Sequence, residues 1–216
     1  MRQLSGRPSR PDPNALYTLA RVCVKEFERD MRVIAGSARG ITLKGPPDAG
    51  TRATADKVRG AIFNVLAAHV PGARVLDLYA GTGALGLEAL SRGAEHCDFV
   101  ERRHALCAII RENLAKSRLS ELGRVLQAEV PHILSTFQEP YDIVLADPPY
   151  GDVESLALVS MPSLHRLLAV NAVVVLEHSP RVEVAGNVGP LRFVRTRRYG
   201  DSAVSIWQHD REEVVP

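Results

Sequence analysis

The chain has 216 residues, 45% of them hydrophobic and 24% charged, with a formal net charge of +2. That composition suffices for one buried core and excludes a disordered chain, and no apolar run reaches the roughly 20 residues of a membrane span. The N-terminus lacks the apolar stretch of a signal peptide, and Cys23, Cys97 and Cys107 form no CxxC pair, so a cytoplasmic protein with reduced core thiols and no metal is expected.

Residues 1–30 contain Arg7-Pro8-Ser9-Arg10-Pro11-Asp12-Pro13 and read as a flexible or dispensable extension, although Leu16–Phe27 has helical periodicity. Arg32–Gly40 followed by Ile41–Lys44 predicts a small β-hairpin lobe over 31–53, with glycines at its bends. Residues 31–60 hold six Lys or Arg against two Asp, a local excess of +4 in a chain that is only +2 overall. Such a concentration suits a phosphate-contacting surface, and an ordinary solvated face would look the same. Thr54 is a candidate N-cap for a helix running to about His69, with Val58, Ile62, Val65 and Leu66 on one side.

From residue 74 onward strands and helices alternate. Strand 74–79, helix 84–92, strand 97–101, helix 103–117 and strand 123–127 are followed by a short helix near 131–137. Strand 141–146, helix 153–168 and strand 172–177 come next. Leu191–Arg198 and Ala203–Gln208 flank Tyr199-Gly200-Asp201 and predict a terminal hairpin. The alternation implies an α/β fold, a doubly wound parallel sheet covered on both faces, with an antiparallel last strand.

Two motifs carry chemistry. In Val75-Leu76-Asp77-Leu78-Tyr79-Ala80-Gly81-Thr82-Gly83-Ala84-Leu85-Gly86 a buried strand runs into a glycine turn and then a helix. The glycines let a ligand approach the backbone, and the helix start offers free amides. Asp77 precedes the glycines, where a carboxylate suits the ammonium of a methionine moiety and opposes a pyrophosphate, so S-adenosylmethionine (SAM) is favoured over a dinucleotide. Glu101 ends the second strand, twenty-four residues after Asp77, where ribose hydroxyls are held in this architecture. Glu129 is either an adenine contact or an ordinary acid at a helix start. The second motif is Asp147-Pro148-Pro149-Tyr150, after the apolar run 141–146. The Asp carboxylate and the Pro148 carbonyl can accept both hydrogens of an exocyclic amine, the prolines keep the backbone extended, and the Tyr ring offers a stacking face. A plain strand stop would carry the same Pro-Pro.

With Arg32-Val33-Ile34-Ala35-Gly36-Ser37-Ala38-Arg39-Gly40, Thr51-Arg52-Ala53-Thr54-Ala55-Asp56-Lys57-Val58-Arg59 and Phe63-Asn64 added to these motifs, the chain from about Met31 to Trp207 resembles the bacterial 16S rRNA guanine-N2 methyltransferases. The resemblance implies a seven-stranded Rossmann-like methyltransferase domain over 54–210, acting with SAM on 16S rRNA in an assembled or assembling small subunit; with no evident exposed apolar stripe, a monomer is expected. The resemblance also implies that Asp77, Tyr79, Gly81, Thr82, Gly83, Gly86, Glu101, Arg102 and Glu129 hold the cofactor and that Asp147, Pro148 and Tyr150 act on the guanine. Arg32, Arg39, Arg52, Thr54 and Arg59 are the implied RNA or substrate contacts. Alternatives are an amino methyltransferase of another base, such as adenine N6 in DNA or guanine N2 elsewhere in RNA, and, more remotely, a nucleotide-binding oxidoreductase or a silent RNA-binding module.

Overall fold

The computed structural model describes residues 31–45, 53–149 and 157–210. A seven-stranded sheet is formed by β1 (Arg74–Leu78), β2 (His96–Glu101), β3 (Gly123–Gln127), β4 (Tyr141–Ala146), β5 (Leu168–His178), β6 (Leu191–Tyr199) and β7 (Ser202–His209). Its order is β3-β2-β1-β4-β5-β7-β6. β1 to β5 pair in parallel, and β7 is antiparallel to both β5 and β6. This is the doubly wound α/β sheet expected from the alternation, with the terminal hairpin supplying the antiparallel strands.

Helices cover both faces: α1 (Ala53–Val65), α2 (Ala84–Ser91), α3 (His104–Lys116), α4 (Val130–Ile133) and α5 (Pro162–His165). Successive strand residues point to opposite faces, so β4 divides its side chains between two cores. Ile143 and Leu145 pack with α1, α2, α3 and the N-terminal hairpin. Val144 and Ala146 pack with residues of α4, α5 and their flanking turns. Both faces of β4 are therefore buried, which is why it reads as an unbroken apolar run. α2 stops at Gly93, whose φ of +101° is the left-handed geometry that closes a helix, and Ala94 N–H then donates to the Ala89 carbonyl. Among the described residues no helix is long and apolar enough to cross a membrane.

The expectations fail locally in three places. The helix expected over 153–168 is, within the described part, a 3₁₀ turn (Ala157–Ser160) and then the four-residue α5. Pro162 cannot sit inside a helix, and Met161 before it is extended at φ −75°, ψ 122°. Leu168 already belongs to β5, so that strand is longer than the 172–177 expected. Asn171 adopts φ +65° inside it, where the β4–β5 register jumps from Tyr141↔Leu168 to Ile143↔Val173. Finally, Thr54 lies within the first turn of α1 instead of capping it, and α1 ends at Val65, short of His69.

Residues 31–44 form the small hairpin expected, with one antiparallel bridge, Arg32↔Thr42, and bonds from Val33 N–H to the Ile41 carbonyl and Leu43 N–H to the Met31 carbonyl. Val33, Ala38 and Leu43 join the core. The hairpin is docked on α2 by buried polar groups. Glu88, fully buried, accepts from Ile34 N–H (2.7 Å), Ala35 N–H (3.0 Å) and Arg92 Nε (2.7 Å). Ser91 Oγ donates to the Ala35 carbonyl and accepts from Ala38 N–H. Arg59 corrects an expectation. It is 3% exposed and is spent on the Arg32 carbonyl (2.5 Å) and Asp56 (2.9 Å), with Glu88 3.7 Å away, so it joins α1 to the hairpin and α2 and presents no free charge to a phosphate. Arg32 and Arg39 are exposed. Arg52 lies outside the described residues.

Candidate active site

The chain winds from β1 outward to β2 and β3, then returns to β4 on the other side of β1. The carboxyl ends of β1 and β4 thus face a crevice at the switch point of the sheet, where open α/β sheets place ligands. The register aligns Asp77 with Leu145 and Leu78 with Ala146. The glycine turn leaving β1 and Asp147-Pro148 leaving β4 therefore emerge side by side.

The turn is shaped by two acids. Asp77 is 1% exposed and its Oδ2 accepts from Gly86 N–H at 2.9 Å. Glu101, 6% exposed, accepts from Gly81 N–H (3.0 Å) and from Arg103 N–H (2.8 Å). Each carboxylate thus anchors one end of the turn. The backbone between them takes left-handed geometry at Tyr79 (φ +57°), Gly81 (φ +58°) and Gly83 (φ +80°). Gly86 is required for packing: a Cβ there would lie 2.3 Å from Phe99 Cε1 and 2.7 Å from Cys97 Sγ. Both cysteines of the described part, Cys97 and Cys107, are buried as free thiols.

Asp77, the carboxylate that the sequence offers to a ligand ammonium, is buried at the end of β1 and bonded to Gly86 N–H. Its carboxyl sits beneath the turn that it shapes, with no basic side chain in ion-pair contact among the described residues. Burial, and to a lesser degree the nearby Glu101, push its pKa up to about 7, against the lowering effect of the Gly86 bond. A carboxyl raised by folding contributes stability that is complete below its unfolded value near 3.8 and is lost as pH rises through about 7. The whole span is worth on the order of 4 kcal/mol. Asp77→Asn keeps an acceptor for Gly86 N–H and removes the titration. Denaturant unfolding of the ligand-free proteins at about pH 5 and about pH 8 should show the wild type losing markedly more stability than the variant. Equal losses would place the titration elsewhere.

The remaining residues are distributed as follows. Thr82 is half-buried, and its carbonyl accepts from Asn113 Nδ2 at 3.0 Å. Arg102 is exposed beside Glu101. Glu129 is the N-cap residue of α4, with a 61% exposed side chain and His132 Nδ1 3.6 Å away, so it stands farther into solvent than Asp77 and Glu101. Asp147 is exposed, and Pro148 after it is buried. Tyr150 lies outside the described residues, as does the side chain of Thr54.

Sequence reasoning missed Asn113. It is fully buried on α3 and bonds the Lys44 backbone twice, N–H to Oδ1 (2.7 Å) and Nδ2 to carbonyl (3.1 Å), besides Thr82. It couples the hairpin to the glycine turn. The available signal was one amide inside the apolar side formed by Ile109, Ile110 and Leu114.

The acidic floor allows a test of cofactor type. Two buried carboxyls beneath the turn oppose a pyrophosphate and suit a cationic ligand. A Cβ at Gly81 would meet only the Tyr79 carbonyl, at 3.9 Å, so the turn is open on that side. These features fit SAM, which carries an ammonium and a sulfonium.

Three comparisons bear on this geometry. The family model described as conserved hypothetical protein 95 matches residues 31–208. "Putative rRNA methyltransferase YlbH" of Bacillus subtilis is 36% identical over 181 residues, 82% of this chain and 98% of that protein. "Ribosomal RNA small subunit methyltransferase D" of Escherichia coli K12 is 39% identical over 120 residues, 56% of this chain and 60% of the other. Among solved structures, "Putative methyltransferase yhhF from Escherichia coli" superposes with a TM-score of 0.75 at 29% identity, covering 85% of this chain and 99% of that one.

Proposed function

The chain belongs to the conserved hypothetical protein 95 family, and from that premise we propose that it is an rRNA methyltransferase, transferring a methyl group from SAM to the exocyclic N2 of a guanine in small-subunit rRNA. The observation that carries the reading is the adjacency of Asp147-Pro148 to an acid-floored glycine turn across the β1–β4 switch point.

Bound SAM supplies an electrophilic methyl group. Asp77 and Glu101 fix the shape of the turn that receives it, through Gly86 and Gly81. Tyr79, Thr82, Gly83, Arg102 and Glu129 complete the proposed cofactor site. A guanine amine is a weak nucleophile because its lone pair is delocalised into the ring. In the proposed complex the Asp147 carboxylate and the Pro148 carbonyl accept its two hydrogens. That draws the nitrogen towards a tetrahedral shape and aims its lone pair at the methyl carbon. The Asp147 carboxylate would stabilise the positive charge that grows on the nitrogen as the methyl carbon passes from sulfur to nitrogen, the C–S electron pair staying on sulfur as a neutral thioether and one N–H proton passing to solvent. The target base must leave its stack to reach this edge, and Tyr150 is its proposed stacking partner. Arg32, Arg39 and Arg52 are proposed to contact the RNA outside the crevice, and the substrate, a small subunit or its assembly intermediate, places the enzyme in the cytoplasm.

Labelled SAM incubated with unmodified small subunits should yield N2-methylguanosine at a single rRNA position, identified by nucleoside mass. Label on adenine, or on DNA alone, would leave the amine chemistry and overturn the substrate.

A further inference from the structure

The edge strand β6 carries Arg192, Arg195, Arg197 and Arg198 and no acid. Arg192 is neutralised by Asp210 (3.1 Å) and also donates to Gln208 (3.0 Å). Among the described residues no carboxylate pairs with Arg195, Arg197 or Arg198. Arg195 Nε is in addition buried without a hydrogen-bond partner, a state that costs free energy unless something supplies an acceptor.

The β-bulge between Phe193 and Arg195 shifts the register, so that Arg195 lies opposite Ile206 and Arg197 opposite Val204. Arg195, Arg197 and Tyr199 consequently face α1, and with Ile62 and Val65 they line a groove between that helix and the sheet edge. The groove is a shallow surface depression with an almost wholly apolar lining, formed by Ile62, Val65, Val204, Ile206, the Tyr199 ring and the side-chain stems of Arg195 and Arg197, and Arg197 is itself exposed. That combination suits a single nucleic-acid strand, whose phosphates need cations and whose bases need flat apolar surface.

Its position matches the active site. The registers place Ala146, Leu176, Ser205 and Thr196 in one row across β4, β5, β7 and β6. Asp147 follows the first of these and Arg197 the last, so they lie at the same level, three strand spacings or roughly 14 Å apart. We propose that the groove between α1 and β6 binds the RNA strand next to the target nucleotide, with phosphates on Arg195 and Arg197 and a base on Tyr199. This rests on the RNA methyltransferase reading and adds where the flanking strand runs.

The test measures binding of unmodified small-subunit rRNA against salt concentration. Arg195→Gln with Arg197→Gln should weaken binding and make the slope of log affinity against log salt shallower by about 1.4, or about 0.7 for each phosphate no longer neutralised. Tyr199→Leu, which keeps apolar bulk, should lower affinity roughly tenfold with the slope unchanged. Arg192→Gln removes an equal charge from the same strand but one already neutralised, and should change neither. Thermal midpoints near that of the wild type establish that each variant is folded. A double variant with the wild-type slope, or an Arg192→Gln protein with the same loss as the double variant, would overturn the groove. A wild-type protein that neither binds this RNA nor methylates unmodified small subunits would overturn the functional reading itself, and the groove with it.

Discussion

Asp147→Ala is expected to lower the methyl-transfer rate by roughly 10³-fold while SAM affinity stays near the wild-type value. The two readouts separate because Asp147 leaves β4, whereas the proposed cofactor turn leaves β1 and is anchored by Asp77 and Glu101. In the proposed mechanism Asp147 interacts more strongly with the transition state than with the bound base, since positive charge grows on the amine only as the methyl group moves. Such a loss falls on kcat and on kcat/KM alike. Asp147→Asn keeps one acceptor oxygen without the charge and should lie between the alanine variant and the wild type. Single-turnover transfer to unmodified small subunits, beside calorimetric titration with SAM, gives both quantities. Turnover by Asp147→Ala within a few-fold of wild type would falsify the role assigned to this carboxylate.

Gly36→Ala should be the most damaging small change in the hairpin. Gly36 has φ +86°, and a Cβ there would stand 1.7 Å from the Ser91 carbonyl oxygen and 2.2 Å from its carbon. Those atoms belong to the backbone at the end of α2 and cannot rotate aside. Adding the left-handed penalty of roughly 1–2 kcal/mol to an overpacking cost of roughly 1–3 kcal/mol gives a loss of about 3 kcal/mol. For a chain of this size that is a fall of roughly 6–12 °C in Tm. Gly40→Ala provides the control, because Gly40 has φ +83° but nothing within 4 Å of a Cβ. It pays the conformational term alone and should lose about half as much or less. Thermal melts of the two variants decide the matter. Equal losses would mean that backbone conformation, and not the approach to α2, sets the requirement for glycine. The hairpin also supplies the Ile34, Ala35 and Ala38 amides and the Lys44 backbone that bond Glu88, Ser91 and Asn113. Its release would therefore be felt at the glycine turn through Asn113.

Much of this protein was determined by its sequence alone, and those features have local causes. Short, nearly unbroken apolar runs marked β1, β2 and β4 as strands buried on both faces. Gly93 marked the end of α2, and the glycines of residues 81–86 marked a turn that only small residues can make. Asp147-Pro148-Pro149 marked the end of a strand that prolines cannot continue. Tertiary structure alone decided the fate of individual charges, because a side chain's environment depends on residues far away along the chain. Arg59 looked like one more cation in a basic segment, and only the approach of the Arg32 carbonyl and Glu88, 27 and 29 residues away, turned it into a buried tie. Asp77 looked like a strand-end acid, and only closure of the turn over it by Gly86 buried it and raised its pKa. The arginines of β6 looked alike in sequence; a bulge in the pairing with β7 turned two of them towards α1, while Asp210 neutralised a third. Backbone geometry follows from neighbouring residues, but the free energy of a charge is set by desolvation and by partners that only the folded chain brings within reach.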